Sequence, residues 1–96
     1  MLSVSVNGSS SITGAVQLID AAGTRVALPD IPCRMVTVIA LKSNTGRIYG
    51  GGVTVSSTVY GTDLGARDSF DYQVSNANMI YIDASVSGEG VSYVAI

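Results

Sequence analysis

Apolar and polar residues alternate along this sequence with a period of two, and turn residues interrupt the alternation about every eight to twelve positions. This pattern limits the possible fold more than any other feature of the sequence. At the start of the chain, Leu2, Val4 and Val6 alternate with two serines and an asparagine, the pattern of a half-buried strand. No window carries a sustained helical period. The sequence therefore predicts an all-β fold: a small single-domain β-sandwich or barrel of about eight short, mostly antiparallel strands.

Two prolines, Pro29 and Pro32, divide the chain. Proline has no backbone N–H for a sheet ladder, and the residue before it favours extended geometry. We therefore predict an N-terminal hairpin or arm at residues 1–30 and a β-sandwich or barrel body at residues 31–96. Whether the first segment is an arm or part of the body is left open by the sequence.

Within this framework the strands are assigned from alternation and from turn residues. Three glycines at positions 50–52 predict a bulge or corner. The predicted strands after the first are residues 12–19, 24–28, 34–42, 47–49, 53–60, 69–74, 79–84 and 91–96, with residues 61–67 as a loop.

The segment from Arg34 to Lys42 is apolar on both faces, as expected for a central strand covered on both sides. In so short a chain we expect the second cover to be a neighbouring subunit. The apolar C-terminal end is likewise expected to pair in the sheet or to dock on a neighbour. The predicted interface residues are Met35, Thr37, Ile39, Leu41, Val94 and Ile96.

Charge is scarce: 12% of residues are charged, against roughly 25% in an average soluble domain. This scarcity favours a surface that is covered in the working state, although serine, threonine and asparagine can also keep a surface hydrated. The five basic residues are scattered, so we predict no nucleic-acid binding. No apolar run reaches the ~20 residues of a membrane span, and the first residues lack a signal-peptide pattern. We expect synthesis in the cytoplasm.

The residue inventory argues against an enzyme. There is no histidine and the one cysteine is Cys33, so a Ser-His-Asp triad, a Cys/His zinc site and an internal disulfide are all excluded. Cys33 is interpreted as a small buried apolar residue. We predict no catalytic residues, no metal site and no cofactor.

The acidic residues and the tyrosines are the remaining candidates for a binding site. The carboxylates match no calcium-binding loop and are interpreted as solvated; they are Asp63, Asp68, Asp71, Asp83 and Glu89. Five tyrosines make a sugar-binding module an alternative, although such modules usually also use tryptophan, which is absent.

Residues from about Ile31 to Ile96, two-thirds of the chain, carry several short motifs of a familiar kind. They are Cys33–Val36, Ala40–Gly51, Val53–Ser56, Asp63–Ser69, Asn78–Ala84 and Gly88–Tyr93. This pattern resembles small structural proteins of tailed bacteriophage virions, among them decoration (cement) proteins, which usually sit on capsids as trimers.

The resemblance implies a non-enzymatic capsid decoration protein that stabilises the shell through subunit contacts. Its expected partners are the major capsid protein or other virion subunits and further copies of itself, with a trimer favoured. Its expected location is the virion, after synthesis in the host bacterial cytoplasm. The alternatives are a tail or fibre component, or a sugar- or receptor-binding β module.

Overall fold

The chain folds into two antiparallel β-sheets, and the computed structural model describes residues 11–96. The strands are β1 (Thr13–Leu18), β2 (Val26–Ala27), β3 (Val36–Ala40), β4 (Ile48–Gly51), β5 (Thr62–Leu64), β6 (Ser69–Tyr72), β7 (Tyr81–Ala84) and β8 (Gly90–Ala95). One 3-10 turn, Ala77–Met79, precedes β7. The all-β prediction is confirmed, and the arrangement is a small β-sandwich.

Sheet A has the strand order β1-β8-β3-β6, and sheet B has the order β2-β7-β4-β5. Every pairing is antiparallel. Strand β8 pairs on both of its edges, so Tyr93 lies opposite Ala15 on one side and Val38 on the other. The last strand of the chain therefore sits inside sheet A and joins its N-terminal strand to its middle.

The core lies between the sheets and is made by alternate residues of their strands. In β3, Val36, Val38 and Ala40 are buried, while Thr37 and Ile39 between them are only half-buried. The same alternation holds in β8. The remaining buried core side chains are Ile19, Leu28, Ile48, Leu64, Ala77, Ile80, Ile82, Ala84, Val91, Tyr93 and Ala95.

Strands β1 and β2 both fall within the segment 1–30 that the sequence analysis separated from the body. They do not pair with each other: β1 pairs with β8 in sheet A, and β2 pairs with β7 in sheet B. The predicted strand at the start of the chain, with Leu2, Val4 and Val6, lies outside the described residues.

Residues 53–60 were predicted to be a strand, and this prediction is wrong. The segment turns twice, with backbone hydrogen bonds from Val55 N–H to Gly52 O (3.0 Å) and from Ser56 N–H to Val59 O (2.8 Å). The Ser56 hydroxyl also accepts the amides of Thr58 and Val59. Such local side-chain bonds compete with a ladder. The strand falls instead at β5, where a loop was predicted.

Two side chains hold the turn between β3 and β4 against the loop before β8. Asn44 is buried and exchanges hydrogen bonds with the backbone of Gly90, donating to its carbonyl at 2.8 Å and accepting its amide at 3.3 Å. The carboxylate of Glu89 accepts the amides of Thr45 and Gly46 and the Thr45 hydroxyl. These bonds lower the pKa of Glu89 because they favour its charged form.

Gly90 is predicted to be intolerant of a side chain. A Cβ there would fall on the backbone of Gln17 and Leu18 in β1, which cannot move aside like a flexible side chain. Gly90→Ala should therefore cost at least about 1–3 kcal/mol of unfolding free energy, measured by chemical denaturation. The control is Gly52→Ala, whose Cβ would meet open space; a change there within about 0.5 kcal/mol is expected. Equal effects of the two substitutions would contradict the β1–β8 register.

The Glu89 contacts make part of the stability depend on pH. Because the folded pKa lies below the ordinary value of 4.5, Glu89 stabilises the fold above that value, and the contribution disappears as pH falls through the folded pKa. Glu89→Gln should therefore be less stable than the wild type at neutral pH. The difference should shrink from about pH 6 to about pH 3 in denaturant titrations. A difference that stays constant over that range would contradict the assignment.

Candidate functional site

The outer face of sheet A is the side of that sheet that sheet B does not cover. Successive strand residues point to opposite sides of a sheet, so the residues between the buried positions point outward. We define this outer face by the outward side chains of the four strands, glycines aside, together with the outward side chains that directly flank β3 and β8: Val16, Leu18, Met35, Thr37, Ile39, Leu41, Ser69, Asp71, Ser92, Val94 and Ile96.

All six residues that the sequence analysis assigned to an interface lie on this face, and all six are half-buried. The β3–β8 pairing brings them together, with Thr37 opposite Val94. At the end of the same ladder, Met35 and Ile96 exchange backbone hydrogen bonds of 3.2 and 2.9 Å. The structure thus groups these residues on one surface, and their role in an interface stays a prediction.

Sequence reasoning did not assign Val16 and Leu18 to this surface. Their side chains are 58% and 44% exposed, and they extend the apolar area across β1. Their alternation with polar residues was visible in the sequence. Which strand they would adjoin was not, because the partner strand β8 lies more than 70 residues further along the chain.

Asp71 is the one charged side chain that the four strands of sheet A place on this face. Its Oδ1 accepts a hydrogen bond of 2.7 Å from the hydroxyl of Thr37 on the neighbouring strand. The rest of the face is aliphatic side chains, hydroxyls and one thioether. A surface of this composition can bury apolar area against another apolar surface. It also carries little charge that would repel an identical surface.

Strand β1 has an unusual environment for a strand of a sandwich. It stands at the edge of sheet A among the described strands, and five of its six residues are exposed. Thr13 and Ala15 point toward the same side as the core residues Ala95 and Tyr93, yet both are exposed. Because β1 extends beyond the core, no other part of residues 11–96 pairs with its outer edge, and most of its residues on both faces are exposed.

The outer face of sheet B has a different character. Tyr49 on β4 lies opposite both Asp63 on β5 and Asp83 on β7. Asp63 accepts a 2.7 Å ion-pair contact from Nε of Arg47, and the ring of Tyr49 packs at 5.1 Å from that of Tyr60. This face therefore combines carboxylates, a guanidinium group and an aromatic pair.

The five tyrosines do not form one exposed row. Tyr93 is in the core, and Tyr72 turns inward so that its hydroxyl shares a 2.5 Å hydrogen bond with the hydroxyl of Thr62. Burial raises the pKa of Tyr72. Tyr49 and Tyr60 cover part of each other. Four of the five tyrosines are thus engaged in packing to a degree that the sequence did not reveal.

The carboxylates are less uniform than the sequence analysis expected. Asp63, Asp68 and Asp71 are exposed, but Asp83 is only 2% exposed, so its interpretation as a solvated group is wrong. Its burial arises from loops distant in sequence, since Gly23 donates its amide to Oδ1 of Asp83. Among the described residues, no three acidic, cysteine or histidine side chains gather as a metal site would require.

Cys33 lies partly buried at the end of the sandwich. Its Sγ is 3.4 Å from the carbonyl oxygen of Val74, to which it donates. Burial raises the pKa of this thiol, because the thiolate is the form that burial disfavours. A thiol in this state is a poor nucleophile at neutral pH.

We therefore expect Cys33 to react slowly with thiol reagents. At about pH 8 the folded chain should react with a disulfide reagent more slowly than the same chain unfolded in urea, since the folded state holds less thiolate and shields the sulfur. Stopped-flow absorbance measures both rates. A folded chain that reacts faster than the unfolded chain would indicate an activated cysteine.

No helix in the part of the chain that the structure describes is long and apolar enough to cross a membrane. Comparison of the chain with protein-family models, with curated proteins and with solved structures finds no match.

Proposed function

We propose that this chain is a non-enzymatic structural component of a bacteriophage particle, of the capsid decoration type, that packs against other subunits through the outer face of sheet A. The observation that carries the subunit role is the composition of that face: apolar, nearly uncharged and left uncovered by sheet B. The virion setting rests on the resemblance of residues 31–96 to small virion proteins.

Covering this face would supply stability that the chain alone lacks. A domain of this size buries only about 60–65% of the surface that its unfolded chain exposes. Burying apolar surface contributes about 25 cal/mol per Å², so completing the burial of Val16 and Leu18 contributes on the order of 1–3 kcal/mol. The half-buried side chains of β3 and β8 add to this.

The partner we propose for this face is a further copy of the same chain, with a trimer favoured. A nearly neutral surface can meet an identical surface without repulsion between like charges. Symmetry then repeats each contact, so that individually weak contacts sum. In this proposal the major capsid protein, or another virion subunit, is the second partner.

Strand β1 offers the means of attachment to that second partner. An open antiparallel edge presents backbone N–H and C=O groups that can add a strand from another chain. In a free monomer such an edge favours aggregation, whereas a particle-bound protein uses it for docking. A tail or fibre component would use the same surfaces and differs only in its location on the particle.

The non-enzymatic assignment rests on the residue inventory. The chain has no histidine, and the pKa of its one thiol is raised, not lowered. The sugar-binding alternative draws no support from the tyrosines, because Tyr49 and Tyr60 pack against each other and do not stand apart as a flat platform.

The subunit role is tested by placing a charge on the outer face. Ile39→Asp points its carboxylate away from the core, so the fold should persist while the oligomer dissociates to the 9.8 kDa chain, because a buried unpaired charge is costly. The matched control is Val53→Asp, which puts the same charge at a residue 58% exposed outside this face and should leave the oligomer intact. Light scattering after size-exclusion chromatography measures the mass, and circular dichroism checks the fold.

A folded Ile39→Asp variant with the wild-type mass would contradict the proposal, as would a wild-type chain that stays at 9.8 kDa. The virion setting is tested separately, by deleting the gene from the phage that encodes the chain. Particles assembled without it should lose their DNA at a lower temperature, and adding the purified chain back should restore them. Unchanged particles would refute the decoration role without affecting the result on subunit packing.

A further inference from the structure

A cavity of about 320 Å³ opens on the outer side of sheet B, away from the proposed subunit face. Its walls come from three parts of the chain: the loop after β1, the loop after β4 and strand β7 with the residue that follows it. The lining residues are Ala22, Gly23, Ser57, Asp83, Ala84 and Ser85. This volume lies at the lower end of the range of small-molecule sites.

The wall formed by the first loop is fixed in place. The amide of Ala22 donates to the Ser87 hydroxyl at 2.9 Å, and the amide of Gly88 donates to the carbonyl of Ile19 at 2.8 Å. Gly23 has a φ of 87°, a left-handed conformation that favours glycine. In this conformation its N–H reaches the carboxylate of Asp83. The backbone of this loop, which forms one wall of the cavity, is therefore held in place by hydrogen bonds.

Asp83 is the chemical centre of the cavity. The side chain is 2% exposed, and its Oδ1 accepts two backbone amides, from Gly23 at 3.0 Å and from Ala84 at 2.8 Å. In the described part of the chain, Oδ2 of Asp83 accepts no hydrogen bond. A buried carboxylate with one oxygen held and one oxygen unsatisfied is costly unless a donor or a positive charge joins it.

Among residues 11–96, no positive charge is paired with Asp83. Arg47 lies on the outer side of sheet B, directly before β4, and its guanidinium group is paired with Asp63. Nε donates to Asp63 Oδ1 at 2.7 Å, and Nη2 donates to the Asp63 carbonyl at 3.2 Å. Asp83 takes part in no ion pair among the described residues. Since no described residue pairs with Asp83, a cation that enters the cavity from outside can supply the compensating charge.

The surroundings of Asp83 suit an organic cation. Ser85 Oγ accepts the Arg47 amide at 2.8 Å, and the Ser57 side chain makes no hydrogen bond within the described residues, so both offer hydroxyl oxygens to a donor. Tyr49, the cross-strand neighbour of Asp83, packs its ring against Tyr60 and does not line the cavity. A divalent metal would need more carboxylate ligands than the single one here.

We propose that this cavity binds a small ammonium or guanidinium group, held by Oδ2 of Asp83, either from a free amine or from a basic side chain of a partner. The inference does not depend on the proposed subunit role, because it concerns the opposite sheet.

The test is a titration of the ¹⁵N-labelled full chain with n-butylammonium chloride at constant ionic strength, with sodium chloride replaced stepwise. The reporters are the amides of Gly23 and Ala84, which bond to the same carboxylate. We expect saturable shifts at both amides, and no saturable shift with uncharged n-butanol. Guanidinium chloride at low concentration should give shifts at the same two amides.

Two variants locate the site. Asp83→Asn keeps an oxygen to accept the two amides but removes the charge, and should weaken butylammonium binding at least about tenfold. Ser57→Leu fills the cavity from an exposed loop and should weaken it without altering Asp83. Asp30→Asn removes the same charge from an exposed residue that does not line the cavity, and should leave affinity unchanged.

Equal shifts with n-butanol or with glucose would overturn the proposal in favour of a neutral hydroxyl ligand. If raising the sodium chloride concentration alone shifts the same two amide signals to the same extent, the site binds any inorganic cation and the proposal is overturned. Unchanged affinity in Ser57→Leu would also overturn it, and this outcome can be read even if Asp83→Asn does not fold.

Discussion

Strand β8 pairs along both of its edges, and sheet A depends on that double pairing. Its inward residues Val91, Tyr93 and Ala95 form the middle of the core. Its backbone holds β1 on one side and β3 on the other. Because β8 follows every other described strand in the sequence, sheet A joins residues from both ends of the described range. Gly90, at its start, admits the backbone of β1 at a distance that no side chain would allow.

In a two-layer sandwich each sheet covers one face of the other, which leaves two outer faces. In this protein the two outer faces differ in composition. Sheet A presents aliphatic side chains with the single carboxylate of Asp71. Sheet B presents carboxylates, Arg47 and an aromatic pair, with two loops folded over Asp83. The first composition favours contact with another apolar protein surface, and the second favours a polar ligand. The chain thus has two separate surfaces with different chemistry.

The sequence predicted well whatever depends on local alternation. The β3 segment, the grouping of Met35, Thr37, Ile39 and Leu41 on one side, and the all-β class all follow from period two. Features that depend on contacts with residues distant in the sequence were predicted poorly. Residues 53–60 are rich in strand-forming residues, yet hydrogen bonds of Ser56 make them a turn. Asp83 alternates like an outward residue, and its burial comes from a loop 60 residues away.

Val16 and Val53 are a matched pair of residues for testing whether the outer face of sheet A is covered in the assembled protein. Both valines are 58% exposed in the single chain, but only Val16 lies on that face. The measurement is the broadening of their methyl NMR signals by a soluble gadolinium chelate added to the assembled protein. If that face is covered, the Val16 methyl signals should stay sharp while those of Val53 broaden. Equal broadening at both valines would contradict the covering of this face.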